Sequence, residues 1–161
     1  MKVKFLDLTG EAVLPKRATE KAAGYDLSIP RDTIIEYGRQ VIKLEFAIQM
    51  PDNLQAHIEP RSGFSAKGFE GYFLNEEGKP YGLPQRFDCE VLRGKVDPDY
   101  TGSVGVIVHS RNPKPFFVKK GTRVAQMSFS QFEVVDFDIV TKLDETERGD
   151  GGWGHSGTQK L

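Results

Sequence analysis

Apolar positions along this chain come in short runs, each closed within a few residues by a turn signal. Between Ser103 and His109, Val104, Val106 and Val108 fall on one face of an extended segment and Ile107 and His109 on the other. That is the period-two pattern of a largely buried strand. Comparable runs predict strands over Val3–Leu8, Thr33–Glu36, Gln40–Phe46, Leu54–Glu59, Phe116–Lys119, Val124–Phe129 and Val134–Val140. Met50-Pro51-Asp52-Asn53, Arg111-Asn112-Pro113 and Lys119-Lys120-Gly121 supply turns between them. No long window carries the 3.6-residue period of an amphipathic helix. One short helix is expected at Ser62–Lys67, with Ser62 as its N-cap and Gly68 as its stop. Strands repeated at this spacing predict an all-β sandwich or barrel. Residues 69–88 (FEGYFLNEEGKPYGLPQRFD) interrupt the rhythm with glycines and prolines beside five aromatics. That is long for a plain connection, so a local hairpin covered by those aromatics is expected.

With 161 residues the chain is sized for one domain, and 38% hydrophobic against 28% charged residues is a globular composition. Twenty-two basic residues against 23 acidic ones leave a net charge of −1. That is not the footprint of a duplex nucleic-acid binder or of a protein drawn to an anionic membrane. Cys89 stands alone, so there is no disulfide framework and no cysteine zinc site. The opening MKVKFLDLTGEAVLPKRA has no apolar core long enough for a signal peptide or a membrane span. An intracellular, cytoplasmic protein is the expectation.

Candidate chemistry is concentrated in five places. The tail RGDGGWGHSG, from Arg148 to Gly157, is half glycine and holds the single tryptophan, Trp153, with His155 and Ser156. Glycine lets backbone amides approach an anion, arginine can grip phosphate bidentately, and tryptophan can stack on a planar ring. Phosphate plus ring suggests a nucleotide under a closing tail, against the plainer reading of a disordered terminus. Asp26, in Ala22-Ala23-Gly24-Tyr25-Asp26-Leu27, is a carboxylate between small residues and a strand, or simply a turn aspartate. Glu59-Pro60-Arg61-Ser62-Gly63 sets a guanidinium and a hydroxyl at a strand end beside a helix start, which suits an anion. Gly94-Lys95-Val96-Asp97-Pro98-Asp99-Tyr100-Thr101-Gly102 reads as a turn whose carboxylate could serve as a general base. In Arg123-Val124-Ala125-Gln126, strand periodicity puts Arg123 and Gln126 on opposite faces, one toward a ligand and the other toward a buried partner such as Asp26. No metal-ligand spacing and no Walker loop appears, while a triphosphate can itself carry Mg²⁺.

Five clusters in this order resemble the five motifs of the trimeric deoxyuridine triphosphatases (dUTPases): AAGYDL at 22–27, PRSG at 60–63, GKVDPDYTG at 94–102, RVAQM at 123–127 and RGDGGWGHSG at 148–157. The resemblance implies a homotrimer of jelly-roll-like β-subunits that hydrolyses dUTP to dUMP and pyrophosphate with Mg²⁺, keeping uracil out of DNA and supplying dUMP. It implies active sites shared between neighbouring subunits, a body over residues 1–147 and a C-terminal arm over 148–161. Asp97 would activate water for in-line attack on the α-phosphorus. Tyr100 would pack on the deoxyribose, and the backbone around Gly94 and Val96 would read uracil. Arg61, Ser62, Gly63 and Gln126 would contact the phosphates. Arg148, Ser156 and Gly157 would hold the outer ones, with Trp153, Gly154 and His155 in the closing tail. Asp26 would support the site through Arg123 or through metal-bound waters, no residue ligating the metal directly.

Trp153 stands where the family usually has phenylalanine, and residues 69–88 are an insertion that could contact another protein. Two rivals share parts of this pattern. A deoxycytidine triphosphate deaminase would need a proton shuttle beside the pyrimidine, and a nucleotide-gated sensor would bind dUTP without turnover.

Overall fold

The computed structural model describes residues 1–152. Among them are fourteen strands and one helix. In chain order these are β1 (Lys4–Asp7), β2 (Lys16–Arg17), β3 (Tyr25–Ser28), β4 (Thr33–Ile35), β5 (Gly38–Lys43), β6 (Phe46–Gln49) and β7 (Leu54–Glu59). Then follow α1 (Ser62–Lys67), β8 (Phe69–Leu74), β9 (Pro80–Phe87), β10 (Cys89–Leu92), β11 (Gly94–Val96), β12 (Gly105–Ser110), β13 (Phe116–Val118) and β14 (Arg123–Gln131). They pair antiparallel into sheets of order β1-β6, β10-β12-β5, β11-β7-β14-β3-β2 and β4-β13-β8-β9. The result is all-β, as the run lengths predict, and jelly-roll-like, as the family resemblance implies.

The inward faces meet in one apolar core that includes Leu27, Ile29, Ile35, Leu44, Phe46, Phe69, Val106, Val108, Phe116 and Val124. Val104, Val106 and Val108 are buried as their alternation requires, and Ile107 faces outward at 37% exposure. Removing this apolar area from water is the main favourable term of folding.

The expected Gln40–Phe46 strand is two strands. Glu45 has a left-handed φ of 63°, and around it the chain leaves β5 for β6. The Leu44 amide donates to the Val104 carbonyl (2.9 Å) and the Val104 amide to the Phe46 carbonyl (2.8 Å), so the crossing lies against β12. Val134–Val140, expected as a strand, forms none. Val134, Phe137 and Ile139 are 86%, 91% and 96% exposed. Their pattern is that of a packed segment, but this chain offers them no partner surface among the described residues. The cap of α1 is also one residue earlier than expected. Arg61, with φ −82° and ψ 139°, is the N-cap, and its carbonyl accepts from the Phe64 and Ser65 amides. Ser62 is thereby the first helical residue, its hydroxyl not engaged in capping.

Residues 69–88 form the β8–β9 hairpin, with Phe69 opposite Phe87 and Leu74 opposite Pro80. At its tip the Asn75 carboxamide oxygen accepts from the Glu77 and Lys79 amides (3.0 and 2.9 Å), an Asx turn.

Candidate active site

Four of the five motifs meet on one sheet. In β11-β7-β14-β3-β2, the segment Gly94–Val96 lies on β7, β7 runs into Arg61 and Ser62, and β14 carries Gln126 between Glu59 and Asp26. Gln55, His57 and Glu59 of β7 share a face with Gln126, Ser128 and Ser130 of β14, while Ala56, Ile58 and Met127 turn into the core. The outward polar face carries Glu59 and Gln126 beside Asp26.

Asp26 is the hub of the first half of the site. Its carboxylate accepts from Arg61 Nε at 2.8 Å and from Arg123 Nη1 at 3.0 Å. Arg61 Nη1 also donates to the Arg123 carbonyl (3.3 Å), and Gln126 Nε2 to the Pro60 carbonyl (3.1 Å). The expectation that Arg123 and Gln126 face opposite ways is corrected. The β14–β3 register shifts between Arg123 and Ala125, and a shift of one residue exchanges the faces of a strand. Both side chains therefore reach the Asp26 side. Asp26, Arg61 and Gln126 line a cleft of about 430 Å³ together with Gly24, Glu59, Ser62, Gly63 and Ser128. Two guanidiniums set by one carboxylate, with a hydroxyl beside them, have the donors to suit an anion such as phosphate.

The second half lies at the other end of β11. Past Val96 the chain turns at Asp97, with the Tyr100 amide donating to the Asp97 carbonyl (3.1 Å). The Tyr100 hydroxyl donates to the Ser103 carbonyl at 3.0 Å, which lays the ring along the turn. A Cβ at Gly102 would lie 2.6 Å from the Tyr100 oxygen, so the ring could keep this place only beside a glycine. Gly94, Val96 and Tyr100 line a separate cleft of about 300 Å³ with Val41, Lys43, Ser103, Gly105 and Ile107. Its walls are largely apolar with backbone groups at the rim, suited to a flat ring and a sugar.

The two clefts share no residue. From Asp26, Asp97 lies four residues along the strands and three strands across. At roughly 3.3 Å per residue and 4.8 Å per strand this is about 19 Å. Arg148 joins neither cleft: its Nε donates to the Gly151 carbonyl (2.7 Å) in a local turn. Trp153, Gly154, His155, Ser156 and Gly157 lie outside the described residues.

Sequence reasoning missed the role of Arg61 as the second partner of Asp26, and the wall residues Val41, Lys43 and Ile107. Val41 and Lys43 sit on β5 with no motif around them, and only its pairing with β12, which carries Ile107, brings them to Tyr100. Ser128 was findable, two residues past Gln126 on the same face, where its hydroxyl donates to Glu59 (3.3 Å).

A profile of the dUTPase family matches residues 10–73 and 87–157. The chain belongs to the dUTPase family. The profile passes over residues 74–86, so the family-foreign part of the hairpin is its distal portion rather than the whole of 69–88. A frog virus 3 protein named putative deoxyuridine 5'-triphosphate nucleotidohydrolase is 35% identical over 142 residues, 88% of this chain and 75% of its own length. The mouse deoxyuridine 5'-triphosphate nucleotidohydrolase is 33% identical, covering 96% of this chain and 85% of its own. The fold is shared with the Staphylococcus bacteriophage 80alpha dUTPase solved with dUpNHpp, at a TM-score of 0.79 and 20% identity over 98% of this chain and 99% of that one.

Proposed function

We propose that this dUTPase-family chain hydrolyses dUTP to dUMP and pyrophosphate, in sites assembled from more than one copy. The observation that carries the reading is the distance of about 19 Å, at standard strand spacings, between Asp97 and Asp26, the hub of the Arg61–Gln126 cleft, within one chain. A water attacking phosphorus needs its base and the phosphate ligands within a few ångströms of one centre. Asp97 of one copy facing Arg61, Ser62, Gly63 and Gln126 of another satisfies that requirement. The exposed Val134, Phe137, Ile139 and Leu143 support the same assembly, because they present an apolar segment for a neighbouring copy. A homotrimer, as the family resemblance implies, is the assembly expected.

In this reading Asp97 takes a proton from the attacking water, which adds to the α-phosphorus as pyrophosphate leaves in line. Arg61, held by Asp26, and Ser62 stabilise charge developing on the leaving group. Tyr100 closes on the deoxyribose and leaves no room for a 2′-hydroxyl, while the Gly94–Val96 backbone reads the uracil edge. The arm from Arg148 to Gly157 folds over the outer phosphates and Trp153 stacks on the ring, excluding bulk water.

The carboxylates present fit a hydrated Mg²⁺ carried by the triphosphate. Asp26 already accepts from two arginines and Glu59 from Ser128, and in this reading they would meet metal-bound water rather than ligate directly. When bound, the metal would withdraw charge from the outer phosphates. Tyr81 and Leu83 on the outer hairpin, 53% and 79% exposed, are where another protein would dock. Pro80 and Pro84 lack amide donors, so contact there would run through side chains rather than by strand addition.

Pyrophosphate release from dUTP, dCTP, UTP and dTTP with Mg²⁺, measured in parallel, tests the assignment. Release from dUTP alone is expected. Ammonia from dCTP would point to the deaminase, and dUTP binding without release to a sensor.

A further inference from the structure

The only buried residue of α1 is Phe64, and its ring does something an aliphatic side chain could not. Arg61 Cζ stands 5.9 Å from the Phe64 ring centroid, within the range of a cation–π contact. Behind it, Phe64 stacks on Phe69 at 4.5 Å and 21°. Phe69 meets Phe116 edge-on at 6.2 Å, and Phe116 stacks on Phe87 at 4.2 Å and 4°. Phe87 in turn takes the edge of Phe73 at 5.2 Å. The rings thus run from the base of the inserted hairpin to the guanidinium at the mouth of the phosphate cleft.

The backbone makes the same connection. Gly68 ends α1 at φ +79°, where a Cβ would lie 2.6 Å from the Phe87 carbonyl oxygen. Arg86 of β9 donates to the Gly68 carbonyl (3.4 Å) and pairs with Glu70 (3.0 Å). The C-terminus of α1 is therefore clamped against β9, while its N-cap carries Arg61. Two polar contacts hold one edge of that guanidinium, Nε to Asp26 and Nη1 to the Arg123 carbonyl. They leave its rotation out of the Asp26 plane to be limited by the face beneath it, which is Phe64.

We propose that Phe64 is a positioning residue: its ring, fixed from behind by the hairpin-base aromatics, holds the Arg61 guanidinium in the orientation that meets the substrate's phosphates. This rests on the assignment of the Asp26–Arg61 cleft to phosphate. Filling the core at position 64 needs only an apolar side chain of suitable volume, so a leucine would satisfy packing but not Arg61. The ring requirement separates a positioning role from a structural one.

The experiment compares Phe64→Leu, which keeps an apolar side chain, with Phe64→Tyr, which keeps the ring. The probes are a non-hydrolysable dUTP analogue with an imido group between the α- and β-phosphorus, and dUMP, which lacks the leaving phosphates. For Phe64→Leu the analogue is expected to bind about fivefold more weakly, the size of a partly exposed cation–π contact, with dUMP affinity unchanged. Phe64→Tyr is expected to retain the affinity of the unmodified protein for both. Equal losses for the two ligands, equal losses in the two variants, or no loss in Phe64→Leu would each overturn the proposal.

Should Phe64→Leu fail to fold, the unmodified protein still decides. Its Arg61 Nε–H resonance is expected upfield of exposed arginines through the ring current of Phe64, and its absence there would overturn the assignment. That signal needs no substrate. Failure of the protein to hydrolyse dUTP would therefore sink the functional reading without touching this result.

Discussion

Two inactive variants should restore each other. Asp97→Asn removes the proposed base, just past the cleft of Gly94, Val96 and Tyr100, and Arg61→Ala removes the guanidinium from the Asp26 cleft. Within one chain Asp97 lies four residues along the strands and three strands across from Asp26, about 19 Å at standard strand spacings, and Asp26 is the carboxylate that holds Arg61 at 2.8 Å. A site built across copies draws its Asp97 from one chain and its Arg61 from another. In hybrids formed by co-refolding equal amounts of the two variants, a given site receives both intact groups when its Asp97 comes from an Arg61→Ala chain and its Arg61 from an Asp97→Asn chain. For random mixing through a head-to-tail interface that happens in about a quarter of the sites. Pyrophosphate release from dUTP should accordingly recover to about a quarter of the unmodified rate, from two parents with almost none. Native mass spectrometry with one variant carrying a mass tag would establish that hybrids formed. Hybrids without recovered turnover would refute the shared site, because a site contained in one chain keeps a lesion in every copy.

Three further outcomes follow from individual side chains. Asp26→Asn should lower stability by about 1–2 kcal/mol, the range for charge-assisted bonds that are only partly buried. It should lower turnover far more, because Arg61 and Arg123 lose their common anchor; calorimetry beside steady-state kinetics separates the two, and equal changes would deny Asp26 its organising role. Burial, with the nearby charges of Asp88 and Glu90, pushes the Cys89 thiol up to about 12. The folded protein should therefore resist alkylation at neutral pH until denaturant is added, and prompt labelling would contradict the packing. Asp7 is held below the ordinary carboxylate range by the amide of Thr9, helped by those of Gly10 and Ala12. A depressed carboxylate stabilises the fold above its unfolded pKa and loses that contribution as pH falls through its folded value. Asp7→Asn should flatten the acid limb of the stability curve below about pH 4 and leave its slope unchanged at neutral pH.

Much of this protein is legible in the linear chain because strands and turns are local. The alternation of Val104, Val106 and Val108 needs no tertiary partner to be read, and Gly68 stops α1 where a residue at positive φ is required. The family, too, lies on the surface of the sequence, since its five motifs are contiguous stretches. What the chain could not disclose is how those stretches meet. Arg61 and Arg123 share Asp26 because β7 and β3 flank β14, and a register shift in β14 turns Arg123 to the face that periodicity denies it. The same sheet holds Asp97 away from them. Val134–Val140 shows the converse limit: its apolar pattern is that of a buried segment, but burial needs a surface to pack on, and pattern cannot say whether that surface belongs to the same chain. Hydrophobic periodicity is a property of one segment at a time, whereas register, sheet order and the separation of two clefts are relations between segments distant in sequence, and those exist only once the chain has folded.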